Sequence, residues 1–468
     1  EFRRVLFRSP DLDTSEVRDR LSSRKGFVWL KREITPKQQL DIHRLGLPGV
    51  GFLRENKRVY PTGNEVAHLI GLVNIDNQGI AGMEKWLDNN GLADLHRAGF
   101  ATDRLQKPVE LSIDLRVEHA LRDELIKAKE KFKAKAASGL VSNVRTGEIV
   151  AMVSLPDFDP NNPKEAHDPD RINRLTTGVY EMGSTFKAFT LAMALDSGRF
   201  DLNSMWDARG PLHYGKFAIH DDHNMGRMIN MKEVFYYSSN IGAGRIALAM
   251  GVDAHKAFLR KMGQLERLRT ELPESASPIV PKKWGELNTV TISFGHGIAV
   301  APLQAVMGID ALVNGGYLIP PTFLKRSEQE AMALARRVIK PETSDKMRYL
   351  MRLNAEIGTA KKADVKGYYI GGKTGTAEKV INGRYAKKRV LNAFTAILPA
   401  DNPKYQLLIM LDEPQPLKET YGFITSGWNA VPTGGNVIAR IAPLLGVEPR
   451  FDLPPSDRLI LAASRATQ

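Results

Sequence analysis

The sequence predicts a mixed α/β fold of the α+β kind, in which an antiparallel sheet is flanked by helices. Three observations support this prediction. Two strand–turn–strand segments, residues 139–155 and 390–413, lie far apart in the chain. A long block of helical segments separates them, and an amphipathic segment at 111–132 precedes the first. Hairpins at both ends of a helical block are typical of one antiparallel sheet with helices on its faces.

Length and composition fit a globular protein of two or three domains. The chain has 468 residues, of which 43% are hydrophobic and 25% charged. It contains no apolar run of about 18 residues, so no membrane-spanning helix is predicted, and no signal peptide is recognisable. Cysteine is absent, which excludes disulfides, thiol catalysis and cysteine-based zinc sites.

The formal net charge of +13 is compatible with an anionic partner such as nucleic acid, a membrane surface or an acidic polymer. A solvated basic surface explains the charge more simply. The densest basic segment, residues 125–139, has its lysines on one face of a predicted helix without alternating aromatic residues. Single-strand nucleic-acid binding therefore has little support, and no nucleic-acid partner is predicted.

The amino-terminal part of the chain is mixed and turn-rich. Residues 26–34 and 50–61 have the composition of strands, and residues 35–46 predict a short helix closed by Gly46. The rest of the chain predicts the elements of the sheet and its helices. In order these are a helix at 111–132, a hairpin at 139–155 turning at 145–148, several helices, a strand at 367–380, a hairpin at 390–413 turning at 399–404, and a closing helix at 436–446.

One predicted helix, residues 181–200, carries a serine and a lysine three positions apart in an otherwise mostly apolar stretch. This spacing places Ser184 and Lys187 on one helix face. A serine hydroxyl needs a base, and burial or a neighbouring cation can keep a lysine neutral enough to be that base. Free N–H groups at the helix start could stabilise an oxyanion. Taken alone, a capping serine and a lysine reaching solvent would be the simpler interpretation.

Two further motifs follow in the chain. Ser238-Ser239-Asn240 forms an S-x-N motif, and Lys373 to Thr376 form K-T-G-T. S-x-x-K, S-x-N and K-T-G together are the motif set of serine β-lactamases and penicillin-binding proteins. Each motif is weak alone, but the ordered set is a strong indication. Ser238 could relay a proton, and Asn240 could hold an amide group and Lys187.

The third motif has the residue types that substrate binding requires. Lys373 supplies a second cation, which could disfavour a charged Lys187 and attract an anionic substrate end. Thr374 and Thr376, two apart on a strand, point to the same side and could hold a carboxylate. Gly375 has no side chain, so a substrate backbone could lie against the strand edge.

From about residue 15 to about residue 447 the chain resembles the class B penicillin-binding proteins, which are peptidoglycan D,D-transpeptidases. Residues 58–88 resemble the amino-terminal pedestal of that class. Residues 291–305 resemble the glycine-containing stretch beside its active site. The segment "VNIDNQGIAGME" is closer in sequence to the division-specific, FtsI-type members than to the elongation-specific ones.

The resemblance implies an activity and the residues that perform it. A stem peptide ending in D-alanyl-D-alanine would acylate Ser184, D-alanine would leave, and an amine of a second stem would accept the acyl group. β-Lactams would acylate the same serine, and no metal or organic cofactor is implied. The backbone N–H groups of Ser184 and Thr376 would form the oxyanion hole. The assigned groups are, as catalytic residues, Ser184, Lys187, Ser238, Asn240 and Lys373 and, as substrate-binding residues, Thr374, Gly375 and Thr376.

The resemblance also implies a domain organisation and a location. Residues 1–10 are expected to be an artefactual or unstructured start, 11–108 a pedestal domain of the dimerisation type, 109–447 the transpeptidase (penicillin-binding) domain, and 448–468 a tail. The implied location is the periplasmic face of the bacterial inner membrane, with a membrane anchor absent from this chain. The implied partners are an FtsW-type glycosyltransferase and other division proteins, with a role in septal cell-wall synthesis.

Other functions stay open at this stage: an elongation-type transpeptidase, a serine β-lactamase or D,D-carboxypeptidase, and a non-catalytic penicillin sensor. A class A β-lactamase uses a glutamate in an E-x-x-L-N segment. The chain offers only a near miss at 284–290, with Trp284 at the required position and Glu286 two positions away. A base must lie within hydrogen-bond reach of its water, so this shift argues against a lactamase.

Three further features have weaker chemical indications. Residues 219–224, "IHDDHN", resemble a metal site, but adjacent loop residues seldom converge on one ion, so surface or turn chemistry is predicted. His296, in "FGHG" beside the presumed site, is interpreted as structural rather than substrate-binding. Trp428 could line the acceptor side, although core tryptophans are common.

Overall fold

The computed structural model describes residues 14–92, 108–215, 217–381, 383–452, 455, 456 and 458. The predicted start at 1–10, parts of the predicted pedestal and most of the predicted tail lie outside the described residues. The chain divides into two compact units. One comprises Glu1–Pro61 with Ile75–Asn77, and the other Thr62–Asn74 with Gln78–Gln468. Within the described ranges, each helix is too short or too polar to cross a bilayer.

The helices, in chain order, are α1 Thr14–Leu21, α2 Pro36–His43, α3 Ala67–Ile70, α4 Gly82–Leu87, α5 Leu115–Lys131, α6 Lys187–Asp196, α7 Met231–Tyr236, α8 Asn240–Met250, α9 Val252–Lys261, α10 Glu286–Ser293, α11 Pro302–Val313, α12 Glu328–Leu334, α13 Pro341–Ile357 and α14 Ala430–Leu444. The strands are β1 Leu72–Val73, β2 Gly79–Ala81, β3 Ala136–Asn143, β4 Ile149–Leu155, β5 Met205–Asp207, β6 Leu212–Tyr214, β7 Phe217–Ile219, β8 Met228–Asn230, β9 Tyr317–Leu318, β10 Arg336–Arg337, β11 Gly371–Ile381, β12 Arg384–Leu398 and β13 Tyr405–Asp412.

In the first unit the predicted short helix is confirmed as α2. Thr35 and Gln38 form a capping box at its start. The strands predicted at 26–34 and 50–61 are wrong, because neither segment is a strand in the structure. A segment with the composition of a strand forms one only when another strand supplies hydrogen-bond partners. Here the apolar side chains Phe27 and Leu53 are exposed.

The second unit is built on a five-stranded antiparallel sheet in the order β11-β12-β13-β3-β4. Both predicted hairpins are confirmed, with Leu140 opposite Met152 in the first and Phe394 opposite Ile409 in the second. They join through β13 and β3, where Leu408 lies opposite Leu140. The sheet therefore combines strands from both sides of the helical block, as the fold class predicted.

Apolar side chains cover both faces of this sheet. Along β12, Phe394, Ala396 and Leu398 belong to one buried cluster, whereas Ala393 and Ile397 belong to the other. This alternation follows from the two-residue period of a strand. Helices α5 and α14 contribute to the first cluster, and helix α6 lies within the second. The sheet is thus sandwiched between helices, and α6 is buried as its apolar sequence predicts.

Candidate active site

The candidate nucleophile lies on a tight turn that packs against the edge of the sheet. A 3₁₀ turn, Gly183–Phe186, contains Ser184 and leads directly into α6. Gly183 has φ of +54°, and a Cβ built on it would lie 2.7 Å from the backbone oxygen of Thr376. A Cβ on Gly375 would lie 2.5 Å from the Met182 oxygen. Glycine at both positions lets the turn approach β11 closely.

Lys187, the first residue of α6, connects the first two motifs. Its side chain is completely buried, and its Nζ lies 2.8 Å from the Ser184 Oγ. The same nitrogen lies 2.8 Å from the Asn240 Oδ1 and 3.1 Å from the Ser238 Oγ, and it also donates to the Ser238 backbone oxygen. These partners compensate for the loss of hydration, which explains how a lysine can be buried in an apolar helix.

Lys373 reaches the same place from the third motif. It is also fully buried, and its Nζ donates to the Ser238 Oγ at 3.0 Å and to the Thr374 backbone oxygen at 3.1 Å. The Phe235 ring lies 5.6 Å away. The structure therefore brings all three motifs together around one hydroxyl, although they are widely separated in the sequence.

Both lysines have lowered pKa values. Burial lowers the pKa of Lys187 to about 7, against the opposing effect of the carboxylates of Asp221 and Asp222. Burial, together with the charge of Lys187, holds the pKa of Lys373 well below its usual value. Desolvation is the main cause in each case, more than the repulsion between the two cations that the sequence suggested. A neutral amine is thus available at the site near neutral pH.

The second motif lies on a strained turn between α7 and α8. Ser238 has φ of +60°, a conformation that a residue with a side chain adopts rarely. Ser239 caps α8 by accepting a hydrogen bond from the Gly242 N–H at 2.9 Å. The turn directs the Ser238 side chain towards both lysines and leaves it partly exposed.

The third motif lies on the edge strand of the sheet. Among the strands that the structure describes, β11 pairs on one side, with β12, and forms the edge of the five-stranded sheet. The Thr374 Oγ1 lies 2.8 Å from the Thr359 Oγ1, and the Thr376 Oγ1 accepts a hydrogen bond from the Ser426 N–H at 3.1 Å. Thr376 is partly exposed, as is Ser184 on the adjoining turn. An extended peptide could pair with this strand edge beside the serine.

Three side chains that border the site form a second polar cluster. The Glu181 Oε1 accepts hydrogen bonds from the Gly297 N–H at 2.9 Å and from the Tyr385 hydroxyl at 3.2 Å. The His296 ring lies 5.6 Å from the Tyr385 ring. Burial and the charge of Lys187 lower the pKa of His296 to about 4. The sequence singled out only His296, because nothing local marks Glu181 or Tyr385 as its neighbours.

The "IHDDHN" segment lies against the second motif. The Asp221 carboxylate accepts hydrogen bonds from the Ser239 hydroxyl at 2.6 Å and from the Asn240 N–H at 2.5 Å. The Asn240 Nδ2 donates to the His220 backbone oxygen at 3.0 Å. Among the described residues no group of His, Asp or Glu side chains is arranged to hold a metal ion. Sequence reasoning missed this role, because the contact joins residues that are 18 positions apart.

The other two residues that the sequence singled out lie elsewhere. Trp428 stacks on Phe423 at 5.4 Å, and the Lys362 Nζ lies 3.0 Å above its ring. It lines a cavity of about 290 Å³ with residues of α5 and α14, so its role on the acceptor side stays a prediction. Glu286, the near miss for a hydrolytic base, is exposed at the start of α10.

Comparison with known proteins agrees with this architecture. The family model described as "Penicillin binding protein transpeptidase domain" matches residues 137–427. A protein named "Probable peptidoglycan D,D-transpeptidase FtsI" from Caulobacter vibrioides is 43% identical over an alignment of 429 positions, which covers 90% of this chain and 72% of that protein. "Peptidoglycan D,D-transpeptidase FtsI" from Escherichia coli is 31% identical over an alignment of 461 positions, which covers 94% of this chain and 76% of that protein.

Solved structures show the same similarity. Penicillin-binding protein 3 from Mycobacterium tuberculosis, crystallised with aztreonam, superposes with a TM-score of 0.73 at 25% identity, covering 86% of this chain and 92% of that chain. The apo transpeptidase domain of Burkholderia pseudomallei penicillin-binding protein 3 gives a TM-score of 0.65 at 29% identity, covering 74% of this chain and 98% of that chain. An antiparallel sheet flanked by helices is common to all three.

Proposed function

The chain belongs to the penicillin-binding protein transpeptidase family and is a peptidoglycan D,D-transpeptidase, and we propose that it cross-links stem peptides through an acyl-enzyme on Ser184. The observation that carries the proposal is the position of the Lys187 Nζ, 2.8 Å from the Ser184 Oγ and completely buried. A nucleophilic serine needs a base in hydrogen-bond contact, and a desolvated lysine can provide it.

In the acylation step, the neutral amine of Lys187 takes the hydroxyl proton as the Ser184 Oγ attacks the penultimate carbonyl carbon of a D-alanyl-D-alanine stem. The bond to the terminal D-alanine then breaks, and its nitrogen must gain a proton. Ser238 is placed for this transfer, because its Oγ contacts the Nζ of Lys187 and of Lys373. The proton taken from the serine can therefore reach the leaving amine through the Ser238 hydroxyl.

Substrate binding is assigned to the edge of β11. The donor peptide would lie along the exposed edge of β11, where Gly375 leaves room for its backbone, with its carboxylate at Thr374 and Thr376 near the side chain of Lys373. The backbone N–H groups of Ser184 and Thr376 would stabilise the oxyanion. The close packing of the Ser184 turn on β11 supports this assignment, because it places both segments at one point.

The second half-reaction releases the enzyme. An amine of a second stem peptide attacks the ester carbonyl, an amide bond forms between the stems, the ester bond to the Ser184 Oγ breaks, and that oxygen regains a proton. Lys187 takes the proton that the attacking amine loses. It can then pass this proton to the Ser184 oxygen. Asn240, whose Oδ1 lies 2.8 Å from the Lys187 Nζ, keeps the base in place through both steps. β-Lactams would also form an ester on the Ser184 Oγ, and this ester would persist.

The wider role is part of the same proposal. Similarity to proteins named FtsI supports a role in septal wall synthesis at the periplasmic face of the bacterial inner membrane, where a membrane anchor would hold the enzyme. An FtsW-type glycosyltransferase and other division proteins are the proposed partners. The segment 11–108, which contains none of the three motifs, is proposed as the pedestal that binds them, and 109–447 as the transpeptidase domain.

Labelling with fluorescent penicillin, followed by denaturing electrophoresis, tests the acyl-enzyme. The wild type should give a covalent band that is lost in Ser184→Ala. Ser197→Ala is the matched control, because Ser197 is an exposed serine just after the same helix. Equal labelling of Ser184→Ala and the wild type would overturn the assignment of the nucleophile.

A second assay separates an enzyme from a penicillin sensor. A thioester or stem-peptide substrate is supplied with an amino-acid acceptor, and the products are followed by chromatography. The proposal expects repeated turnover with transfer to the acceptor. Labelling without turnover would indicate a sensor, and release of the free acid alone would indicate a carboxypeptidase.

A further inference from the structure

The carboxylate of Asp221 lies at the amino-terminal end of α8, immediately behind the second motif. It accepts hydrogen bonds from the Ser239 hydroxyl at 2.6 Å, the Asn240 N–H at 2.5 Å and the Ile241 N–H at 3.0 Å. The first N–H groups of a helix have no partner within the helix. Ser239 satisfies one of them further along, and Asp221 satisfies two that Ser239 leaves free.

The same loop also holds the side chain of the motif's asparagine. The Asn240 Nδ2 donates to the His220 backbone oxygen at 3.0 Å, while its Oδ1 lies 2.8 Å from the Lys187 Nζ. The amide of Asn240 is thus oriented from both ends, with its oxygen towards the base. Ser238, two residues before Asn240, has φ of +60°, a conformation that persists only where surrounding contacts determine it.

We propose that Asp221 is a positioning residue for the acylation step, which locks the Ser238–Asn240 turn against Lys187 and places a negative charge behind it. The inference rests on the proposed function, because it concerns how Lys187 is held and charged. It assigns a role to the "IHDDHN" segment, which the motifs leave unexplained. Asp221 does not contact the nucleophile and acts through the turn.

The charges around Lys187 determine how the "IHDDHN" segment affects the pH dependence of the acylation rate. Asp221 and Asp222 raise the pKa of Lys187 from one side, against the effect of burial. Lys373 on β11 and His296 in the loop after α10 lie on other elements and interact with the charge of Lys187. Removal of either carboxylate should lower the pKa of Lys187, so the neutral base would be populated at lower pH.

Asp222 provides a matched control, because it has the same charge at the next position. It is exposed, and its field acts on Lys187, whereas the hydrogen bonds to the turn described above are made by Asp221. Asp222→Asn therefore removes a charge without removing a contact of the turn. Asp221→Asn removes the charge and keeps an oxygen that can accept from the N–H groups. Asp221→Ala removes both.

The experiment measures the rate constant of acylation by fluorescent penicillin for the full chain and the three variants, from about pH 5 to about pH 9. Melting temperature and circular dichroism report folding. Asp221→Ala should lower the plateau rate by about 100-fold, the order of loss that a 1 Å displacement of catalytic groups causes. Asp221→Asn should lower the plateau rate less, and the rise of its acylation rate with pH should move to lower pH. Asp222→Asn should keep the wild-type plateau rate and show only the move of this rise to lower pH.

Several results would overturn the inference. If Asp221→Ala folds and has the wild-type plateau rate of acylation, Asp221 does not position the Ser238–Asn240 turn. If Asp221→Ala does not fold, Asp221→Asn is compared with Asp222→Asn. Identical pH profiles of the acylation rate would show that Asp221 acts through its charge alone, which would overturn the positioning role. An unlabelled wild type would instead refute the proposed acyl-enzyme, so the two failures are distinguishable.

Discussion

The side-chain nitrogens of Lys187 and Lys373 lie beside the same hydroxyl, with their Nζ atoms 3.1 and 3.0 Å from the Ser238 Oγ. Both side chains are completely buried, and burial lowers both pKa values. Two charges so close in a desolvated site are costly, so the site favours a single proton over two. A neutral lysine amine is therefore available beside the Ser238 hydroxyl to act as a base.

The pH dependence of acylation should show this arrangement. The base must be neutral to take the serine proton, and the pKa of Lys187 is about 7. The acylation rate should therefore rise with pH and level off above about pH 7. Stopped-flow measurement with a chromogenic β-lactam checks this. A rate that is independent of pH between about 5 and about 9 would contradict a titrating lysine base.

Substitution of Lys187 should separate its charge from its basicity. Lys187→Ala and Lys187→Arg should both abolish acylation, because arginine keeps the charge but does not deprotonate in proteins. Penicillin labelling measures the effect, with circular dichroism as the test of folding. Lys261→Arg, at an exposed position at the end of α9, is the control and should label normally. Normal labelling of Lys187→Arg would remove the lysine from its assigned role.

The penicilloyl adduct on Ser184 should last far longer than it takes to form. Hydrolysis of the ester needs an activated water, and the near-miss glutamate, Glu286, is exposed at the start of α10. Intact-mass spectrometry over hours, after removal of free penicillin, measures the lifetime. Glu286→Gln should leave it unchanged. Rapid return to the unmodified mass with accumulating product would instead indicate a β-lactamase.

Two truncations test which part of the amino-terminal segment the catalytic unit needs. Leu69 and Met83 are 1% and 2% exposed and belong to the buried cluster that contains α6. A chain beginning at Thr62 keeps them and should fold and bind penicillin. A chain beginning at residue 108 loses them and should melt at lower temperature, since each lost apolar side chain costs about 2–5 kcal/mol.

Both truncated chains contain all three motifs, so each should be labelled by penicillin whenever it is folded. Circular dichroism and labelling on the same samples separate stability from activity. A folded but unlabelled chain beginning at residue 108 would show that residues 62–107 contribute to the site.

Glu118 should make stability depend on pH. It is completely buried in α5, and burial raises its pKa to about 8. The pKa of Glu118 is about 4.5 in the unfolded chain and about 8 in the folded one, so the folded protein favours the protonated carboxyl. The resulting contribution to stability is fully present below about pH 4.5 and is lost as the pH rises towards about 8. Glu118→Gln should therefore stabilise more at pH 7 than at pH 4, by on the order of 3 kcal/mol.

Denaturant unfolding at the two pH values measures this difference. Glu130→Gln, an exposed position on the same helix, is the control. Its effect on the free energy of unfolding should be small at both pH values. An equal effect of Glu118→Gln at pH 4 and pH 7 would contradict the raised pKa.

The sequence by itself determined the features that depend on local pattern. Apolar runs separated by short turns predicted the hairpins β3–β4 and β12–β13, and the apolar stretch after Lys187 predicted a buried helix. Spacing within each motif determined which side chains share a helix face or strand side. Local pattern failed at 26–34 and 50–61, where the composition is typical of a strand but no strand forms. A strand depends on a partner that its own sequence does not contain.

Only the tertiary structure decided which distant residues meet. Lys187 contacts Ser238 across 51 positions, and Glu181 contacts Tyr385 across 204. Asp221 reaches Ser239 from a loop that sequence reasoning treated as surface. Such contacts depend on the order of strands and the path of the loops, which the packing of the whole core determines. The lowered pKa of Lys187 has the same origin, because burial is a property of the assembled fold.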